Sequence, residues 1–136
     1  MGNALHFLII GNPVTKKNSQ QIMMNPKTKR PFIMPSSKYK RYERDAVGQL
    51  LLQIVKTDLA EPIDYPVNVQ CVYYMETKRR VDLVNLLESS LDCLVEAGIL
   101  KDDNCSIAYM HDGSRVSYDK TYPRVEITIT RMYGGT

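Results

Sequence analysis

Val67-Asn68-Val69-Gln70-Cys71-Val72-Tyr73-Tyr74-Met75 alternates apolar and polar residues over nine positions, which predicts a strand buried on one face. It delivers the chain to Lys78-Arg79-Arg80 and then to a helix from about Leu83 to Ala97. Leu83, Leu87, Leu91, Leu94 and Leu86, Cys93, Ala97 form two adjoining apolar rows at helical spacing, so that face is predicted to lie on a sheet. Asn85, Glu88, Asp92 and Glu96 share the opposite stripe. Asp82 stands where an N-cap is preferred, and Gly98 supplies the left-handed position that ends a helix.

Outward from this unit the pattern repeats in simpler form. Leu5 to Ile10 is a predicted strand stopped by Gly11-Asn12-Pro13, and Asn25-Pro26 with Pro31 mark a loop or hairpin. Ser36 or Ser37 caps a helix from about Lys38 to Lys56, with Tyr39, Tyr42, Ala46, Leu50 and Val47, Leu51, Ile54 on its apolar side. Ile107 to Met110 and Arg124 to Thr130 read as closing strands, separated by loops at Asp112-Gly113-Ser114 and Asp119-Lys120. The expected fold is α+β: a small mixed β-sheet packed against two main helices, one domain over residues 1–136.

Composition sets limits. The 136 residues are 43% hydrophobic and 24% charged, ordinary for a globular domain and unlike a disordered tail. No apolar run approaches the roughly 18 residues of a membrane span. Ala4 to Ile10 lacks the basic flank and cleavage site of a signal peptide. Cys71, Cys93 and Cys105 have neither paired nor zinc-type spacing, so a reducing, cytoplasmic setting is expected. The net charge of +3 hides a division, because residues 1–50 hold nine Lys or Arg against Glu43 and Asp45, while the remainder hold nine bases against thirteen acids. One half is suited to an anion and the other to a cation. Lys16, Lys17, Lys29, Arg30, Lys38 and Arg41 are the expected contacts to a nucleic-acid backbone, with Lys78 and Arg79 from the second half.

The acidic segment admits three readings. Asp82 as a cap, a solvated acidic helix face and an Asp-rich turn at Asp102-Asp103-Asn104 account for the pieces one at a time. A calcium loop is poorly supported, because alternating oxygen ligands and the loop glycine are missing. A magnesium site built on Asp82 and Asp103 is the third, since Mg²⁺ needs only one or two carboxylates plus water or phosphate oxygens. Neither histidine sits in a motif that suggests a nucleophilic triad.

Lys78-Arg79-Arg80-Val81-Asp82-Leu83-Val84-Asn85-Leu86, then Asp92, then Ala97-Gly98-Ile99-Leu100 and Asp102-Asp103, resembles the RusA-like Holliday junction resolvases. Gly11-Asn12-Pro13-Val14-Thr15-Lys16-Lys17 is similar to the Gly-x-Pro-x-x-Lys opening of that family, so the resemblance covers most of the chain. It implies a small homodimeric, Mg²⁺-dependent endodeoxyribonuclease, often of phage or prophage origin, that nicks four-way DNA junctions symmetrically. It also places Asp82 and Asp103 at metal-binding positions and Asn85 and Asp92 at further motif positions. Two departures stand out. The family's usual second Asp is Val84 here, and a Lys common early in the helix is Glu88. Glu88 and Asp102 are therefore expected to add carboxylates beside Asp82 and Asp103, with Asp82, Asp103 and Glu88 as the catalytic set and Mn²⁺ as a possible substitute metal. Two rival expectations remain: a catalytically weak junction-binding protein, and a nuclease that prefers flaps or single strands.

Overall fold

The computed structural model describes residues 4–16 and 20–132. The chain folds as β1 Leu5–Ile10, β2 Gln20–Met24, β3 Pro31–Pro35, α1 Ser37–Ile54, β4 Val67–Met75, α2 Leu83–Glu96, β5 Ala108–Met110, β6 Arg115–Tyr118 and β7 Arg124–Arg131. The main sheet has the order β1-β7-β4, with β5 and β6 sharing the far side of β4. β7 runs antiparallel to both neighbours, whereas β5 and β6 are parallel to β4. The sheet is thus mixed, two helices cover it, and the α+β expectation holds.

Period-two alternation determines which face is covered. Phe7 and Ile9 of β1, Val67, Val69, Cys71 and Tyr73 of β4, and Val125, Ile127 and Ile129 of β7 all point to one side. Against them pack Ala46 and Leu50 of α1 and Leu86, Cys93 and Leu94 of α2. The two leucine-rich rows of α2 meet the sheet as expected. Ala97 caps the helix and Gly98 takes a φ of 79° just beyond it. Ser36 caps α1, its Oγ accepting the Tyr39 amide at 3.2 Å. Leu51, expected on the apolar side of α1, is half exposed instead, because the stripe that touches β1 passes through Ala46 and Leu50.

Two glutamines protect the sheet's outer edge. Gln49 accepts the Ile10 amide and donates to the Ile10 carbonyl, at 2.8 and 2.9 Å. Gln53, one turn along α1, does the same for Leu8 at 2.8 and 2.7 Å. These carboxamides replace the neighbouring strand that an open edge would otherwise recruit.

β6 was not expected. Arg115 to Tyr118 place no residue in the core, so the sequence carries no burial signal there. Val67 and Asn68 of β4 pair with β5 and residues 72–75 with β6, and between them side chains satisfy the interrupted ladder. The Ser114 hydroxyl accepts the Cys71 amide, Asn68 Oδ1 accepts the Asp112 amide, and His111 Nδ1 lies 3.0 Å from the Val69 carbonyl.

Candidate functional site

β1 runs out at Ile10, and Gly11, at a φ of 126°, turns the chain across the end of β4, a conformation that suits glycine. Asn12 Oδ1 then accepts the Glu76 amide at 3.0 Å, and the Gly11 amide donates to the Pro123 carbonyl at 3.0 Å. Pro13 and Thr15 are buried, so this loop is fixed to the sheet. Between it, the first turn of α1 and the segment after β4 lies a groove whose charged lining is three cations, Lys38, Arg79 and Arg80, and one carboxylate, Glu76. α1 has no acid in its first turn, and its N-terminus carries the positive end of the helix dipole. Such a groove suits a phosphate backbone, which cations hold without reading bases. Val81, the residue before Asp82, also lines it.

Asp82 begins α2. Its Oδ1 accepts the Val84 amide at 2.9 Å and its carbonyl accepts the Leu86 amide at 3.1 Å. The carboxylate is exposed, as is Glu88, while Asn85 is half-buried. Val84 is 68% exposed, so it fills no core space. Its side chain stands on the surface beside the capping carboxylate.

The other end of α2 is built differently. Leu100 bridges to Ile63, and the turn beyond it is held by Asp102, whose Oδ1 accepts the Asp103 amide at 2.8 Å and whose Oδ2 accepts from the Asn104 carboxamide at 3.0 Å. These bonds, chiefly from the Asp103 amide, hold the Asp102 carboxyl below the usual range. Asp102 is therefore committed to the turn. Asp103 instead lines a groove with Lys16, Glu43, Asp92 and Glu96. Lys16 Nζ lies 3.5 Å from Asp92 Oδ2, and its amide donates to Ser89 Oγ at 3.2 Å.

The expected residues therefore divide between two places. α2 has 14 residues and so is about 21 Å long, with Asp82 at its start and Asp103 beside Val95 and Glu96 near its end. Asp92 shares the groove with Asp103, and Glu88 lies between the two ends. Among the described residues, no group of three or more His, Cys, Asp or Glu side chains is arranged to hold a metal. The donors are hard carboxylate oxygens suited to Mg²⁺, but a single chain keeps its two principal ones apart.

The expected cations are also distributed. Lys38 and Arg79 share the groove that Val81 also lines, joined by Arg80, while Lys29 and Arg30 stand in the turn of the β2–β3 hairpin. Arg41 is exposed on α1. Lys78 lies over the Tyr118 ring, 5.2 Å from its centroid. Lys16 is turned toward Asp92. Lys17 falls outside the described residues. Sequence reasoning missed Arg80 as a groove residue, although it belongs to the run Lys78-Arg79-Arg80. It also missed Ser89 and Ser90, which are buried. Two serines on an otherwise leucine-rich helix were the available signal. Ser90 Oγ meets the Tyr73 hydroxyl at 2.8 Å.

A family model described as endodeoxyribonuclease RusA matches residues 11–130 of the chain. A search among curated proteins returns no match.

Proposed function

Because the chain belongs to the RusA endodeoxyribonuclease family, we propose that it is a Mg²⁺-dependent, structure-specific nuclease that resolves Holliday junctions by paired nicks, in recombination and repair. A phage or prophage origin fits the same reading. The observation that carries it is the groove in which Lys38, Arg79 and Arg80 outnumber the single acid Glu76 and which Val81, the residue before Asp82, also lines. Phosphates held there lie next to an exposed carboxylate, an arrangement that repels DNA unless a cation intervenes.

The separation of Asp82 from Asp103 gives the proposal its form. Two copies related by a two-fold axis bring the Asp82 end of one helix against the Asp103 end of the other, twice. Each pair is then completed by both chains, with Glu88, between the two ends of α2, as a further carboxylate. When bound, Mg²⁺ or Mn²⁺ supplies Lewis-acid polarisation of a phosphate oxygen and a more acidic water. The chain's own residues do the rest. Lys38, Arg79 and Arg80 neutralise phosphates and fix their register, Asp82 and Asp103 supply the negative charge that retains the cation, and Asn85 supports the Asp82 end. Two equivalent sites suit a four-way junction, itself nearly two-fold symmetric.

A second reading rests on Val84. An exposed valine where the family commonly has an aspartate lowers the negative charge of the Asp82 end, which favours a junction binder with weak catalysis. Labelled four-way junction, flap and plain duplex, each incubated with and without Mg²⁺, separate the readings. Resolution predicts symmetric nicks in the junction alone, dependent on metal and abolished by Asp103→Asn. Tight junction binding without nicks in Mg²⁺ or Mn²⁺ supports the binder, and cleavage confined to the flap overturns both.

A further inference from the structure

The β2–β3 hairpin has apolar side chains on both faces and lies outside the core. Ile22 pairs with Ile33, Met23 with Phe32 and Met24 with Pro31. Ile22 is 77% exposed, Ile33 64%, and Met23, Met24 and Phe32 are likewise exposed. Directly opposite residues share a face, so Ile22, Ile33 and Met24 stand on one side of the ribbon and Met23 and Phe32 on the other. A two-stranded hairpin with both faces in water is marginally stable by itself. This one is therefore shaped for a partner.

Its tip indicates which partner. Asn25 Oδ1 accepts the Lys27 and Thr28 amides at 2.9 and 3.3 Å, the Lys29 amide donates to the Asn25 carbonyl at 2.8 Å, and Lys29 takes a φ of 58°. The turn is thus well defined, and it displays Lys27, Lys29 and Arg30, all exposed. No Asp or Glu precedes Glu43 in the sequence, so the hairpin carries cations without any acid of its own. Two such ribbons packed side by side in the same direction would bring two sets of the same three cations together. A polyanion with apolar surfaces to offer has the complementary chemistry, and DNA with unstacked bases is one. The root of the hairpin has a matching position, because β3 leads at once into Ser36 and Lys38, and Lys38 lines the groove with Arg79 and Arg80.

We infer that the β2–β3 hairpin is a wedge that enters the opened centre of branched DNA, its apolar faces against unstacked bases and its cationic tip on the adjoining phosphates. The inference rests on the junction-resolving reading above and assigns its selectivity for branches to Ile22, Met24, Phe32 and Ile33. Apolar side chains inserted between bases are an established way of holding distorted DNA, and five residues per strand give a ribbon about 17 Å long.

A four-way junction carrying 2-aminopurine at the branch point reports unstacking directly, and in EDTA no metal-dependent cleavage interferes. Binding of the intact protein is expected to raise the fluorescence several-fold. Ile22→Ser/Ile33→Ser is expected to remove most of that rise while affinity for plain duplex changes by less than about two-fold, since the cations remain. Met24→Ser alone is expected to give an intermediate loss, and thermal unfolding of both variants is expected to match the parent because none of these residues is buried. A full fluorescence rise in the double variant overturns the wedge, as does no rise with the intact protein. A shift of the double variant from dimer to monomer in sedimentation also overturns it, by making the ribbon an interface between copies. Because the fluorescence needs no metal, a normal rise without nicking in Mg²⁺ contradicts the nuclease reading and leaves the wedge standing.

Discussion

The carboxylate of Asp82 accepts the Val84 amide at 2.9 Å, so the residue expected to retain a metal is also the one that starts α2. The two roles separate by substitution. Asn is as good an N-cap as Asp, whereas Ala is not. Asp82→Asn is therefore predicted to leave stability within a few tenths of a kcal/mol of the parent, and Asp82→Ala to lower it by about 1 kcal/mol. Both are predicted to abolish Mg²⁺-dependent nicking. Urea unfolding and junction cleavage on the same preparations check this, and a stable, fully active Asp82→Asn would remove the residue from the site.

Tyr73 and Ser90 join the central strand to α2 through hydroxyls 2.8 Å apart, both within the core. Removing one hydroxyl leaves the other with the Cys71 thiol, a weak hydrogen-bonding group, as its partner, a cost of about 1 kcal/mol. Tyr73→Phe and Ser90→Ala are each predicted to destabilise by that amount. The double variant is predicted to recover much of the loss, and a double-mutant cycle by urea unfolding measures the coupling.

Lys38, Arg79 and Arg80 line one groove, and each is predicted to neutralise a phosphate. Replacing any of them by Ala should weaken binding to all DNA sequences alike and reduce the slope of log affinity against log salt by about 1. Fluorescence anisotropy across a salt series provides the measurement. Lys16→Ala is predicted to change the slope less, because Lys16 faces Asp92 at 3.5 Å.

Burial pushes the Cys71 thiol up to about 11 and the Cys93 thiol up to about 12, while Cys105 is exposed. Thiolates are the reactive form. At pH 8 a disulfide reagent is predicted to label Cys105 alone in the folded protein and all three thiols after unfolding. A raised thiol favours the folded state below the ordinary cysteine range, and this contribution falls as pH rises through that range toward the folded values. Stability is therefore predicted to decline above about pH 8.5, and less steeply in Cys93→Ala if that variant folds.

Much of this molecule was legible as sequence. β4 and α2 follow from period-two alternation, paired leucine rows and a glycine stop, because each signal reports burial in one direction. β6 was not legible, since its four residues pair with β4 while remaining exposed. The carboxylates of the site were legible as residue types, and their order matched one family. Their placement was not, because Asp82 caps the start of α2 while Asp103 shares a groove with Asp92 and Glu96 farther along it, a consequence of topology. Nor did the charge pattern distinguish Lys16, drawn toward Asp92, from Lys38, which faces the groove.

The central claim is that each catalytic site draws Asp82 from one chain and Asp103 from another. Mixing Asp82→Asn and Asp103→Asn proteins, each inactive alone, tests it directly, because a mixed dimer would hold one fully substituted site and one intact site. With free exchange, half of the dimers are mixed, so junction nicking is predicted to return to about a quarter of the parent level, as single rather than paired nicks. If the mixture stays as inactive as its components while exchange is shown to be complete, both aspartates act within one chain and the account is wrong.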